Sequence, residues 1–187
     1  MKKFVCSLLL LISLCEASAA APAGAGGVCE REMSGAAAEA GVPLGVLYAV
    51  AMTETGRKGS LHPYALNIEG LTVITTTKQD ALAEYDRARR SGKKLIDLGC
   101  MQVNHHYHGR AFASVSAMLD PALNVRYAAR FLKDLRQKEG SWAMAVARYH
   151  AGPHNDPAQK RYICAVIRNL VATGFGAWTP ASRQFCR

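Results

Sequence analysis

Apolar residues recur along this chain mostly at helical spacing, and one stretch is apolar on every side. It reads Pro43-Leu44-Gly45-Val46-Leu47-Tyr48-Ala49-Val50-Ala51-Met52-Thr53-Glu54-Thr55-Gly56. A helix that is hydrophobic all round belongs in the middle of a core. Pro43 opens it, where a missing N–H costs nothing, and Gly56 ends it. Before it, residues 28–40 are helical in composition and stop at Gly41. Residues 62–74 read as irregular or extended, with a β-branched run at Thr72-Val73-Ile74-Thr75. Thr77 and Asp80 form a capping-box-like pair that starts an exposed amphipathic helix over 78–91, stopped by Gly92. A short helix is expected over 114–119. Asp120-Pro121 supplies an N-cap and a first helical residue. Leu123, Tyr127, Ala128, Phe131, Leu132 and Leu135 then repeat at helical spacing as far as Gly140. Ser141 caps the next helix, broken by Ala151-Gly152-Pro153. Asp156-Pro157 begins a last long helix, with Tyr162, Ile163, Val166, Ile167 and Leu170 on one face and Gly174 at its end. The expected fold class is mainly α: a compact helical domain with at most a small β-rich or irregular patch near 72–76. No internal repeat or interdomain linker is visible.

The N-terminus has a different pattern. Lys2 and Lys3 precede an apolar run over 5–14, and Ala17-Ser18-Ala19-Ala20-Ala21 follows. This is the layout of a cleavable secretory signal, with cleavage after Ala19 or Ala21. The run is short for a retained membrane anchor, and Leu14 is bulky for a lipobox before Cys15. The expected organisation is a signal peptide over 1–21 and a single domain over 22–187, exported with no stable membrane anchor. The formal charge of +9 favours anionic partners such as a membrane surface or an acidic wall polymer. The basic residues are scattered without interleaved aromatics, which argues against nucleic acid.

Of six cysteines, Cys29, Cys100, Cys164 and Cys186 remain after cleavage. An even number in an exported chain suggests two disulfides, for which three connectivities exist. Pairing Cys164 with Cys186 is favoured because it would pin the C-terminal tail to the last long helix, leaving Cys29 with Cys100. There is no Cys-x-x-Cys motif for redox or zinc chemistry.

Glu54 is the candidate reactive group. Burial against Val50 and Met52 disfavours its ionised form, and the negative end of the helix dipole acts in the same direction. A carboxyl that stays protonated near neutral pH suits a general acid for glycosidic-bond cleavage. The ordinary alternative is a solvated glutamate at a helix end.

Two further motifs, Gly99-Cys100-Met101-Gln102-Val103-Asn104 and Ala147-Arg148-Tyr149-His150-Ala151-Gly152, follow Glu54-Thr55-Gly56. In order and spacing the three resemble the motifs of soluble lytic transglycosylases, which read Glu-Ser, Gly-Leu-Met-Gln and Ala-Tyr-Asn-Ala-Gly. Arg161-Tyr162 looks like the family's fourth motif, and the resemblance covers roughly residues 42–170. It implies an α+β lysozyme-like fold with a β-rich patch beside the cleft, and periplasmic cleavage of the bond between N-acetylmuramic acid and N-acetylglucosamine in peptidoglycan. It implies Glu54 as the single catalytic acid and base. Thr55, in place of a serine, would position substrate, and Met101, Gln102 and Asn104 would line the cleft. Tyr149 would orient Glu54 by a hydrogen bond, and Tyr162 would border the glycan groove. His150 stands where the family has asparagine, and Cys100 where it has leucine. The family also implies no cofactor, glycan strands as partner, and a monomer. Small members serve secretion or flagellar assemblies, a candidate role here.

Asp97 and Glu69 are candidate second carboxylates, which would turn the chemistry toward lysozyme-type hydrolysis. Aspartate's turn preference makes Asp97 a loop or capping residue first. His105-His106-Tyr107-His108 has no known zinc spacing and is expected to form a polar cleft rim. Trp142 and Phe131 are expected in the core. No Gly-x-Ser-x-Gly elbow supports an acyl-transfer nucleophile. A non-catalytic wall-binding module is the alternative outside enzymology, and the His150 departure motivates it.

Overall fold

The computed structural model describes residues 27–57, 59–152 and 155–187. The expected signal peptide lies outside the described residues. The fold is mainly α with one small antiparallel sheet, as in lysozyme.

Helices α1 (Val28–Ala40) and α2 (Leu44–Glu54) are followed by strands β1 (Ala65–Ile68) and β2 (Leu71–Ile74), then α3 (Lys78–Arg90). Strands β3 (Ile96–Leu98) and β4 (Val103–Asn104) lead into the short helices α4 (His105–His108) and α5 (Val115–Met118). The chain closes with α6 (Pro121–Glu139), α7 (Trp142–His150), α8 (Asp156–Ala172) and α9 (Pro180–Phe185). Caps set most boundaries. Thr77, Ser114, Asp120 and Ser141 each accept a hydrogen bond from a first-turn N–H. Gly41 and Gly140 end α1 and α6 in the left-handed conformation.

Helix α6 packs against α1 and α7, while α2 packs against α8. The all-round apolarity of α2 is matched by its burial, with Leu47, Ala49, Val50 and Ala51 fully enclosed. Two disulfides staple the domain: Cys29–Cys100 ties α1 to the loop between β3 and β4, and Cys164–Cys186 ties α8 to α9. These are the favoured pairings.

The sheet is larger than the patch expected near 72–76. Its strand order is β2-β1-β3-β4, antiparallel throughout. Successive rungs alternate in chemistry, as the pleat requires. Leu66, Leu98 and Val103 pair across three strands and point into the core. The next rung, Asn67, Asp97 and Asn104, is entirely polar. Glu69 (φ 51°) and Gly70 (φ 96°) make the two-residue hairpin turn between β1 and β2. The expected loop or cap role of Asp97 is therefore corrected: it sits mid-strand in β3.

Asn124, on α6 and fully buried, holds the β3–β4 loop. Its Nδ2 donates to the carbonyls of Leu98 and Met118, and its Oδ1 accepts the Met101 N–H at 2.9 Å. Gly99 (φ 80°) passes so close that a Cβ there would lie 2.7 Å from Asn124 Nδ2. Replacing Asn124 by alanine strands three buried main-chain groups. Equilibrium urea unfolding of N124A is expected to show a loss of about 4 kcal/mol, since each orphaned group costs roughly 1–3 kcal/mol.

Candidate active site

A cleft of about 400 Å³ separates the sheet from the helices. The polar rung Asn67-Asp97-Asn104 forms one wall. Tyr127 and Phe131 of α6, with Tyr149 of α7, form the opposite wall, and Glu54 lies between them. Tyr127 and Phe131 stack one turn apart, and Phe131 leans on Tyr149. Phe131 is thus cleft wall rather than core, while Trp142 packs on the core as expected.

Glu54 ends α2, at the point where the apolar helix reaches the cleft. Its carboxyl is pushed up from 4.5 to about 7. Loss of hydration is the largest cause; a hydrogen bond from Tyr162 pulls the other way, and the charge of Asp97 adds a further rise. The Tyr162 hydroxyl donates to Glu54 Oε1 at 2.5 Å. Burial and the neighbouring Glu54 hold the Tyr162 phenol well above its usual range, so it remains a donor. Burial also raises Asp97, against a hydrogen bond from Asn104 Nδ2 at 2.6 Å.

Several expected roles change. Tyr149 does not orient Glu54; its hydroxyl donates to the Met101 carbonyl at 2.7 Å. The orienting phenol is Tyr162, because α8 rather than α7 packs along α2. Tyr162 is buried, not bordering the groove. Thr55 is buried at the α2 C-cap, where its hydroxyl donates to the Cys100 carbonyl, so it braces the loop instead of meeting substrate. Met101 is fully enclosed in the core and does not line the cleft.

Gln102, Asn104 and His150 do line it. Gln102 sits in the left-handed region (φ 47°), which is uncommon for a non-glycine residue and frequent at functional sites. Its Nε2 donates to the carbonyls of Ala65 and Gly99, which turns the amide oxygen into the group available to substrate. Asn104 bridges Asp97 and the first turn of α4.

The histidine run divides. Tyr107 and His108 line the cleft, His108 bonded to Tyr127 at 2.8 Å, whereas His105 and His106 line a separate hollow with Arg89 and Arg110. Among the described residues no group of three or more His, Cys, Asp or Glu is arranged to hold a metal ion. Glu69 lies at the cleft edge but is held by Lys93 Nζ at 2.9 Å and the Lys94 N–H, which keep its carboxyl below the usual range.

Sequence reasoning missed Asn67 and Tyr127 as cleft residues, whereas Tyr107 and His108 lie on the rim expected of the histidine run. The Tyr127–Phe131 spacing of one turn was the available signal for a continuous aromatic wall.

The fold is lysozyme-like, and its cleft sets a carboxyl with a raised pKa against an aromatic wall. The family profile of the transglycosylase SLT domain matches residues 32–166, and the chain belongs to that family, whose members cleave glycosidic bonds of peptidoglycan. Searches of curated proteins and of solved structures returned no match.

A general acid must be protonated to act, so turnover is expected to fall as pH rises through about 7. Y162F removes the bond that favours ionised Glu54. The alkaline limb of its kcat–pH profile should move up by about one to two units, given roughly 1.5–3 kcal/mol for a hydrogen bond to a charged group. A limb that stays in place would exclude this coupling.

Proposed function

We propose that the protein is an exported lytic transglycosylase of the periplasm. Residues 1–21 are removed as a signal peptide, and 22–187 act as one domain that opens peptidoglycan locally. Glu54 is its single acid and base. The observation that carries this reading is the Glu54 carboxyl at the end of α2, bonded by the Tyr162 hydroxyl, deprived of hydration so that its pKa rises to about 7, and lining a cleft of about 400 Å³.

In the first step Glu54 gives its proton to the oxygen bridging N-acetylmuramic acid and N-acetylglucosamine. The bond from that oxygen to the muramoyl C1 breaks, and the N-acetyl carbonyl oxygen of the same sugar bonds to C1. Ionised Glu54 then removes the proton of the C6 hydroxyl. O6 attacks C1 and displaces the acetamido oxygen, closing a 1,6-anhydro ring and restoring protonated Glu54. This is substrate assistance in place of a second carboxylate. Loss of hydration is what chiefly holds the Glu54 proton, and the nearby Asp97 carboxyl adds to the rise. Gln102, through its amide oxygen, and Asn104 contact the sugar on the sheet side, and the aromatic wall covers its apolar faces.

One observation favours a second reading. Asp97 shares the cleft with Glu54, and a carboxylate there could assist attack by water, as in a lysozyme-type hydrolase.

Mass spectrometry of digested sacculi separates the two. Anhydromuramoyl ends are expected from the wild type, and E54Q should release fragments about a thousandfold more slowly, the middle of the usual range for loss of a general acid. Reducing ends in their place, abolished in D97N, would establish hydrolysis. Binding to sacculi without release of any fragment would leave a wall-binding module.

A further inference from the structure

We propose that His150 is a positioning residue, whose imidazole covers one face of the Tyr162 ring, fixes the phenol on Glu54 and keeps water from that pair. The inference rests on Glu54 being the acid of the reaction.

The imidazole of His150 and the phenol ring of Tyr162 lie 4.3 Å apart at an interplanar angle of 4°. Such a parallel stack covers one face of the phenol ring. Tyr162 is 5% exposed, although its neighbour Glu54 opens to the cleft. His150 itself is exposed and lines that cleft. It therefore stands between cleft water and the stacked face of the Tyr162 ring. A tyrosine ring free to swing about its Cα–Cβ bond would carry its hydroxyl away from Oε1, and the stack opposes that motion.

Asparagine, the residue of the motif that this chain resembles, is too small to cover a phenol ring in the same way. Partial loss of hydration on the side packed against Tyr162, with the charge of Arg161 on α8, pushes His150 below its ordinary value. The imidazole is thus a neutral plate near pH 7. The titratable groups around Glu54 are Tyr162 of α8, Asp97 of β3 and Tyr149 of α7.

Removing the ring has two opposed consequences for Glu54. Loosening Tyr162 raises the carboxyl, and admitting water lowers it. Dehydration is the larger of the two influences in the intact site, so water should win.

The test is the kcat–pH profile on sacculi for H150A and H150F. In H150A the alkaline limb is expected about one pH unit lower, with turnover at pH 7.5 reduced about tenfold as the protonated fraction falls. Phenylalanine keeps a flat ring without a charge or an N–H, and H150F should restore the limb and most of the rate. Urea unfolding of both variants controls for folding. An unmoved limb in folded H150A, or H150F as impaired as H150A, would overturn the inference. E54Q tests the underlying reading separately: an active E54Q removes that reading, whereas an inactive E54Q with an unmoved H150A profile removes only the role of His150.

Discussion

The loop at Cys100 and Met101 is where the domain is tied together. Four ties from separate helices meet on these two residues. The Cys29 disulfide comes from α1, the Thr55 hydroxyl from the end of α2, the Asn124 amide from α6 and the Tyr149 hydroxyl from α7. Each satisfies a buried main-chain group or adds a covalent link, and an unsatisfied group there would be expensive. Strands β3 and β4 flank this loop and pair antiparallel beside it, so its position sets the sheet wall of the cleft. Gln102, the next residue, has a left-handed backbone and turns the chain from this loop into β4.

With the loop fixed, the chemistry follows from two surfaces of opposite character. The sheet offers amides and a carboxyl on one rung, while α6 and α7 offer rings. Glu54 lies where these surfaces meet, at the end of a helix that had no polar residue to spare for solvating it. Its neighbours then tune the acid in both directions. Tyr162 stabilises the anion, and dehydration and Asp97 stabilise the neutral form. The combined result lies near neutrality, where a proton can be both given and retrieved.

Helices were legible in the sequence because they are long and punctuated. Asp120-Pro121, Ser141 and the glycines at 41 and 140 marked boundaries within a residue of those observed. The sheet was not, because strands of two to four residues are too short for alternation to register. Asp97 therefore passed as a turn residue, and the polar rung stayed hidden. Glu54 could be singled out as a carboxylate on an apolar helix. The roles of Tyr149 and Tyr162 depended on which helix lies along α2, which no local pattern encodes. Thr55 and Met101 belong to recognisable motifs yet serve the scaffold. Asn124 left a faint trace, a polar residue beside Val125 on a stripe that is otherwise apolar.

The dryness around Glu54 also bears on how firmly the domain holds together. In the unfolded chain this carboxyl ionises near 4.5, but in the folded chain only near 7. Between those values the native state binds the extra proton, and above them it must carry an ill-hydrated charge. Below pH 4.5 the penalty is absent; it grows as pH rises and is complete beyond about 7, where it reaches roughly 3 kcal/mol. An alkaline environment thus strains the scaffold through the same carboxyl that we propose as the acid, and a mildly acidic one relieves it.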